Sequence, residues 1–301
     1  MDGLLGETFA VLSALSFAMG NIVIARTSVS GGDKGVLFSV VVTIAFSFAI
    51  FLVLEAGRVE VAATRDSATG FALFALAGLS AMVFGRTLVF ESIRRLGATR
   101  ASAVKRLNPF FSVLLAALFL AEPVTLHDLA GLAAIAVSFT LLIRERFRAG
   151  QGAATDAGLG AFGIGAAAAF AYAVSYIARK AGLGYLEAPA LGTFASAVAG
   201  FLGFAAFAAV SPAYRAMFRG MFRHVDRHVT AAAVMISSGQ ILMFAALAYE
   251  DVATVVMISS LEIFFSIFLA TVVFRSEPRP GLPIILAAAL AIAGVLLVAG
   301  G

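Results

Sequence analysis

A chain of 301 residues that is 61% hydrophobic and only 13% charged, with a mean hydropathy of +1.03, is too apolar for a water-soluble domain and reads as a polytopic membrane protein. A net charge of +4 and a sequence pI near 9.8 do not signal nucleic acid, because the cations are spread over short inter-helix loops, where membrane topology explains them. The absence of cysteine excludes disulfide staples and thiol or iron–sulfur chemistry.

At a spanning length of about 20 residues, the sequence predicts ten transmembrane helices, at 5–26, 35–54, 70–92, 99–120, 126–144, 157–179, 189–210, 229–249, 254–274 and 281–299. The first apolar run, from Leu4, lacks a basic leader and is long enough to span, so it reads as a retained helix. Gly, Pro and charge clusters mark the breaks, as in "SGGDKG", "AEPVTLHD" and "RSEPRPG". The segment "RERFRAGQGAATDAG" divides the chain in half. In "SPAYRAMFRGMFRHVDRH", Arg215, Arg219, Arg223 and Arg227 recur every four residues opposite Met217, Met221 and Val225. That pattern predicts a short basic amphipathic helix lying on the membrane surface.

The halves repeat. "IAR" at Ile24–Arg26 matches Ile177–Arg179, "FFS" at 110–112 matches 264–266, Gly85 matches Gly239, Phe90 matches Phe244, and Glu122–Pro123 matches Glu277–Pro278, all at offsets of 153 to 155. Five matches in register predict a duplication, with a first five-helix repeat over 1–148, a loop at 149–156 and a second repeat over 157–301. A unit with an odd number of spans inserts its second copy upside down, as in many secondary transporters. Of the 21 Lys and Arg, fourteen fall in loops on one side and four, Arg58, Arg65, Arg179 and Lys180, on the other. The positive-inside rule then puts both termini outside the cytoplasm.

Ten spans in two halves, with an acidic-proline corner after the fourth helix of each ("LAEPVTLHDLAGLAAIAVSF" and "RSEPRPGLPIILAAALAIAGVLL"), resemble the EamA-type carriers of the drug/metabolite transporter superfamily. The resemblance covers essentially the whole chain. It implies an all-α basket of ten helices around a central cavity, in a bacterial inner membrane, that exports amino acids and related metabolites.

Two polar stripes stand out. Ala101, Lys105, Asn108 and Ser112 share one face of the fourth helix, and Val255, Ser259, Glu262 and Ser266 the matching face of the ninth. Lys105 and Glu262 each lie about 10 Å into their helices, so across a core of about 30 Å they can meet near the midplane. A cation and an anion on one cavity suit a zwitterion, with its carboxylate toward Lys105 and its ammonium toward Glu262, which is also the candidate for proton coupling. Lys105 and Arg106 are also near enough to a helix end to snorkel to the cytoplasmic surface instead. Arg86, aligned with Gln240, either lines the cavity or caps loop charges such as Glu91. Asn21 and Tyr176 sit at equivalent levels of helices one and six, as cavity lining or as interhelical glue. Pro109 is expected to kink helix four.

Enzyme chemistry is not indicated. His127, His224 and His228 fall in loops, which removes an embedded Ser–His pair or a zinc site. Every aspartate lies in or beside a loop, and no phosphate loop is present. The expected partners are a small-molecule substrate and membrane lipids, without cofactor, metal or nucleic acid, in a monomer or homodimer. A lipid-headgroup flippase of the same architecture is the alternative.

Overall fold

Among the described residues, ten helical stretches are long and apolar enough to cross a membrane, the number that hydropathy predicts. The computed structural model describes residues 2–25, 36–59, 64–148, 159–223, 225–275 and 280–300. The repeat matches at Arg26 and at Glu277–Pro278, the loop cations Lys34 and Arg279, His224 and the 149–156 loop lie outside the described residues.

In chain order the helices are α1 (Asp2–Ala25), α2 (Val36–Ile50), α3 (Arg65–Gly78), α4 (Arg86–Leu96), α5 (Ala98–Lys105), α6 (Asn108–Phe119), α7 (Leu126–Arg148), α8 (Leu159–Leu183), α9 (Pro189–Val210), α10 (Pro212–Gly220), α11 (Arg227–Tyr249), α12 (Val252–Ser259), α13 (Glu262–Phe268) and α14 (Leu282–Ala299). Three π-helical stretches extend α2 (Phe51–Glu55), join α3 to α4 (Leu79–Gly85) and extend α13 (Leu269–Val273). No strand occurs among the described residues.

The third span, Arg65–Leu96, starts five residues before hydropathy suggests. Its polar first turn is helical because Thr64 caps it, accepting from the Ser67 N–H at 3.2 Å. The sixth span runs on past residue 179 to Leu183, because Ala181 and Leu183 are apolar. His127 and His228 lie in the first turns of α7 and α11 rather than in loops.

Spans four and nine are broken at equivalent places. Between α5 and α6, Arg106 N–H bonds to Ala103 C=O and Leu107 N–H to Val104 C=O, tight turns in place of the α-helical spacing. Between α12 and α13, Leu261 N–H bonds to Ile258 C=O in the same way. The local causes differ. Pro109 in the first turn of α6 has no N–H for the Lys105 carbonyl. In the second half, the hydroxyls of Ser259 and Ser260 instead bond back to Val255 C=O at 2.7 Å and Val256 C=O at 2.9 Å, which bends a helix.

The repeats pack by exchange: α1 lies along α11, α8 along α3 and α4, α2 along α9, and α7 along α14. Glycine sets the closest crossings. A Cβ on Gly85 would meet the Tyr172 ring at 3.0 Å, and one on the matching Gly239 would meet the Phe17 ring at 3.1 Å. Gly131 and Gly294 bring α7 and α14 together, each facing the other's carbonyl. Near both acidic-proline corners the chain turns through a left-handed non-glycine residue, Ala121 with φ 55° and Arg275 with φ 50°.

The amphipathic segment forms α10, but with a different partner from the one expected. Tyr214, Met217, Phe218 and Met221 pack on a core cluster of Leu37, Val40, Met82, Ala197 and Phe204, and the Tyr214 ring stacks on Phe207 with centroids 5.4 Å apart. The apolar face of α10 therefore covers protein rather than lying flat on lipid. Arg215 and Arg219 belong to α10, whereas Arg223 is in the turn beyond it and Arg227 opens α11.

Candidate functional site

The two broken spans place their polar residues against the first helix of the opposite repeat. Glu262, the first residue of α13, accepts from Asn21 Nδ2 of α1 at 2.7 Å. Asn108, the first residue of α6, donates through Nδ2 to the Ala169 carbonyl of α8 at 3.1 Å. Glu262 lies ten residues beyond the start of α12, about 15 Å below that end and near the middle of the core.

Lys105 is exposed, and its ammonium sits over the Tyr172 ring, 5.1 Å from the centroid, a favourable cation–π position. Among the described residues it forms no ion pair with Glu262. Tyr176, one turn along α8 from Tyr172, lies within electrostatic reach of Glu262, Arg179 and Tyr172. Tyr172, Tyr176 and Arg179 thus form one polar face of α8. Arg106 points elsewhere, over the Phe139 ring at 5.1 Å, in a shallow crevice lined also by Ser102, Leu142 and Ile263.

Three other predicted residues are less engaged. The Ser259 hydroxyl is taken up by the Val255 carbonyl and Met243 sulfur. Gln240 is half-buried on α11 and makes no hydrogen bond among the described residues. Arg86 does not cap Glu91, whose carboxylate is held by Arg94 at 2.7 Å and by Arg95. Its Nη1 is instead buried without a partner.

Arg179 is the residue that sequence reading misplaced. Counted there as a loop cation, it is 4% exposed inside α8, with its guanidinium 4.8 Å from the Phe244 centroid and 5.8 Å from that of Tyr176. A charge four residues from a helix end reads as a boundary, and only the packing of α11 on α8 shows that it is enclosed.

The face where α1 begins is tied across the repeats. Glu55 accepts from the N–H groups of Ala190 and Leu191 at 2.8 and 3.1 Å, satisfying the start of α9. Glu122, in the corner before α7, accepts from Val252 N–H at 3.0 Å, at the start of α12. Within the second repeat, Lys180 Nζ donates to the Glu250 carbonyl at 2.8 Å. Burial pushes the Glu122 carboxyl up to about 7; Asp251 and Asp128 add to this, while the Val252 bond and Lys180 oppose it. Glu250 is also raised, by burial first and then by Glu7 and Asp251.

The EamA-like transporter family model matches the sequence twice, over residues 4–144 and 159–300. The chain belongs to the EamA-like transporter family. Among 29 matching chains of solved structures, one crystal structure shares the fold with a TM-score of 0.72 at 16% identity, over 97% of this chain and 96% of its own. At that identity the likeness shows the fold alone. No curated protein matches the sequence. As an EamA-like transporter the chain is a multi-pass membrane protein that moves a small molecule, built from two matched halves.

Proposed function

We propose that this transporter is a secondary carrier of the bacterial cytoplasmic membrane, with both termini outside, that exports amino acids or related small metabolites in exchange for protons. The observation that carries the reading is Glu262: a carboxylate at mid-depth, at the break of span nine, bonded to Asn21 of the other repeat. Ionisable groups at that depth are costly and are retained for pathways and proton relays. In this cycle Glu262 takes a proton from outside, releases it to the cytoplasm, and in its ionised form binds the substrate ammonium, which it gives up outside. Lys105, on the cytoplasmic half of the path beside Tyr172, attracts the substrate carboxylate on entry. The tight turns at 106–107 and 260–261 supply the points at which spans four and nine flex as the halves rock.

Counterflow in proteoliposomes tests this. Vesicles preloaded with one unlabelled amino acid at a time are followed for transient uptake of a labelled mixture. Accumulation with a subset establishes a carrier and its substrate class. No accumulation with any amino acid, in protein shown to be folded, refutes the reading and favours a flippase.

A further inference from the structure

Arg179 is a cation buried inside the membrane-spanning part of the protein. Its Nε is fully covered and makes no hydrogen bond, and no carboxylate of the described residues pairs with it. Aromatic faces are its neighbours, Phe244 at 4.8 Å and Tyr176 at 5.8 Å. A buried charge without a counter-ion is strongly unfavourable. Ring faces offset part of that cost, but they leave the in-plane N–H donors unanswered, and those donors match a planar oxyanion two at a time.

We infer that Arg179 is an anion-binding subsite for the substrate carboxylate, on the outer side of Tyr176. Its position fits a stage of export. Arg179 lies four residues before the end of α8, about 6 Å below the face where α1 begins, next in sequence to Lys180, which is tied to the Glu250 carbonyl. Glu262 lies deeper, and its charge and that of Arg179 both act on Tyr176. A zwitterion therefore spans Tyr176 with its ammonium on Glu262 and its carboxylate on Arg179, having passed from Lys105 on the cytoplasmic half. The inference rests on the carrier reading only in calling the anion a substrate; the anion site itself is independent of transport.

The test is thermal stability of the purified full-length protein in detergent, in wild type, Arg179→Met and Arg179→Lys. The probes are each of the twenty amino acids and, for those that stabilise, the matching amine and the matching carboxylic acid. Wild type is expected to be stabilised by amino acids and by acids, whereas any stabilisation by amines, through Glu262, is expected to be unchanged in Arg179→Met. Arg179→Met is expected to lose the stabilisation by amino acids and acids, with apparent affinity about 10- to 100-fold weaker for loss of one charge-assisted pair. Arg179→Lys recovers part of it. Without ligand, Arg179→Met should melt at or above the wild-type temperature, because an unpaired buried charge is gone. If no carboxylate stabilises wild type, or if Arg179→Met keeps the response, or if it melts lower without ligand, Arg179 is a packing residue and the inference is overturned. Carboxylate protection without counterflow would refute the carrier reading and leave the anion site standing. Counterflow that survives in Arg179→Met would do the reverse.

Discussion

Asn108 and Glu262 occupy one position in two copies of the same unit, and each reaches into the first helix of the other copy, Asn108 to the Ala169 carbonyl at 3.1 Å and Glu262 to Asn21 at 2.7 Å. The architecture is shared and the chemistry is not. One side carries a neutral amide and the other a carboxylate. An inverted duplication thus yields a site with two unlike ends. Asn21→Leu removes the donor that holds Glu262, and is expected to weaken substrate binding about 10-fold, the value of one hydrogen bond to a charged group, with little change in melting temperature. Half-saturation in counterflow measures it.

Gly78 shows how closely the halves meet. A Cβ there would fall 1.9 Å from the Ser196 carbonyl oxygen, while the Ser196 hydroxyl donates to Phe74 C=O at 2.7 Å. Backbone cannot give way as a flexible side chain can, so Gly78→Ala is expected to cost at least about 1–3 kcal/mol and to reduce the yield of monodisperse protein. Gly160→Ala, with nothing within 4 Å of the added atom, is the matched control and should be neutral. Size-exclusion profiles and melting curves separate the two.

The corner at Ala121 carries strain that can be removed. With φ 55°, its Cβ opposes the following carbonyl at a cost of about 1–2 kcal/mol that glycine does not incur. Ala121→Gly is therefore expected to raise the melting temperature, less the greater chain entropy of glycine in the unfolded state.

Glu122 makes stability depend on pH. Its carboxyl ordinarily titrates at 4.5 and is raised to about 7 in the folded protein, so between these values the folded state holds a proton that the unfolded chain has lost. Stability from this group is full below about pH 4.5 and declines as pH rises to about 7. Glu122→Gln keeps an acceptor for Val252 N–H while removing the titration, and should flatten that part of the melting-temperature profile.

The sequence made the ten spans and the duplication legible, because hydropathy and register are local properties. Pro109 announced a kink in span four. Nothing comparable announced the break at 260–261, since it arises from serine hydroxyls turning back on their own helix. Arg179 was invisible for a different reason: its enclosure is made by Phe244 and Tyr176, and no local pattern reports what packs on a helix end. The apolar side of α10 was correctly seen as apolar, but an amphipathic pattern is the same whether Tyr214 and Phe218 cover lipid or the surface of α9.

The most direct measurement is proton movement during transport. With a substrate identified by counterflow, vesicles containing a pH indicator would be followed as a substrate gradient is imposed, in wild type and Glu262→Gln. Proton flux opposite to substrate flux is expected in wild type and none in Glu262→Gln, with both proteins folded to the same extent. Substrate flux with no proton flux in wild type, or equal proton flux in both proteins, would contradict proton coupling through Glu262.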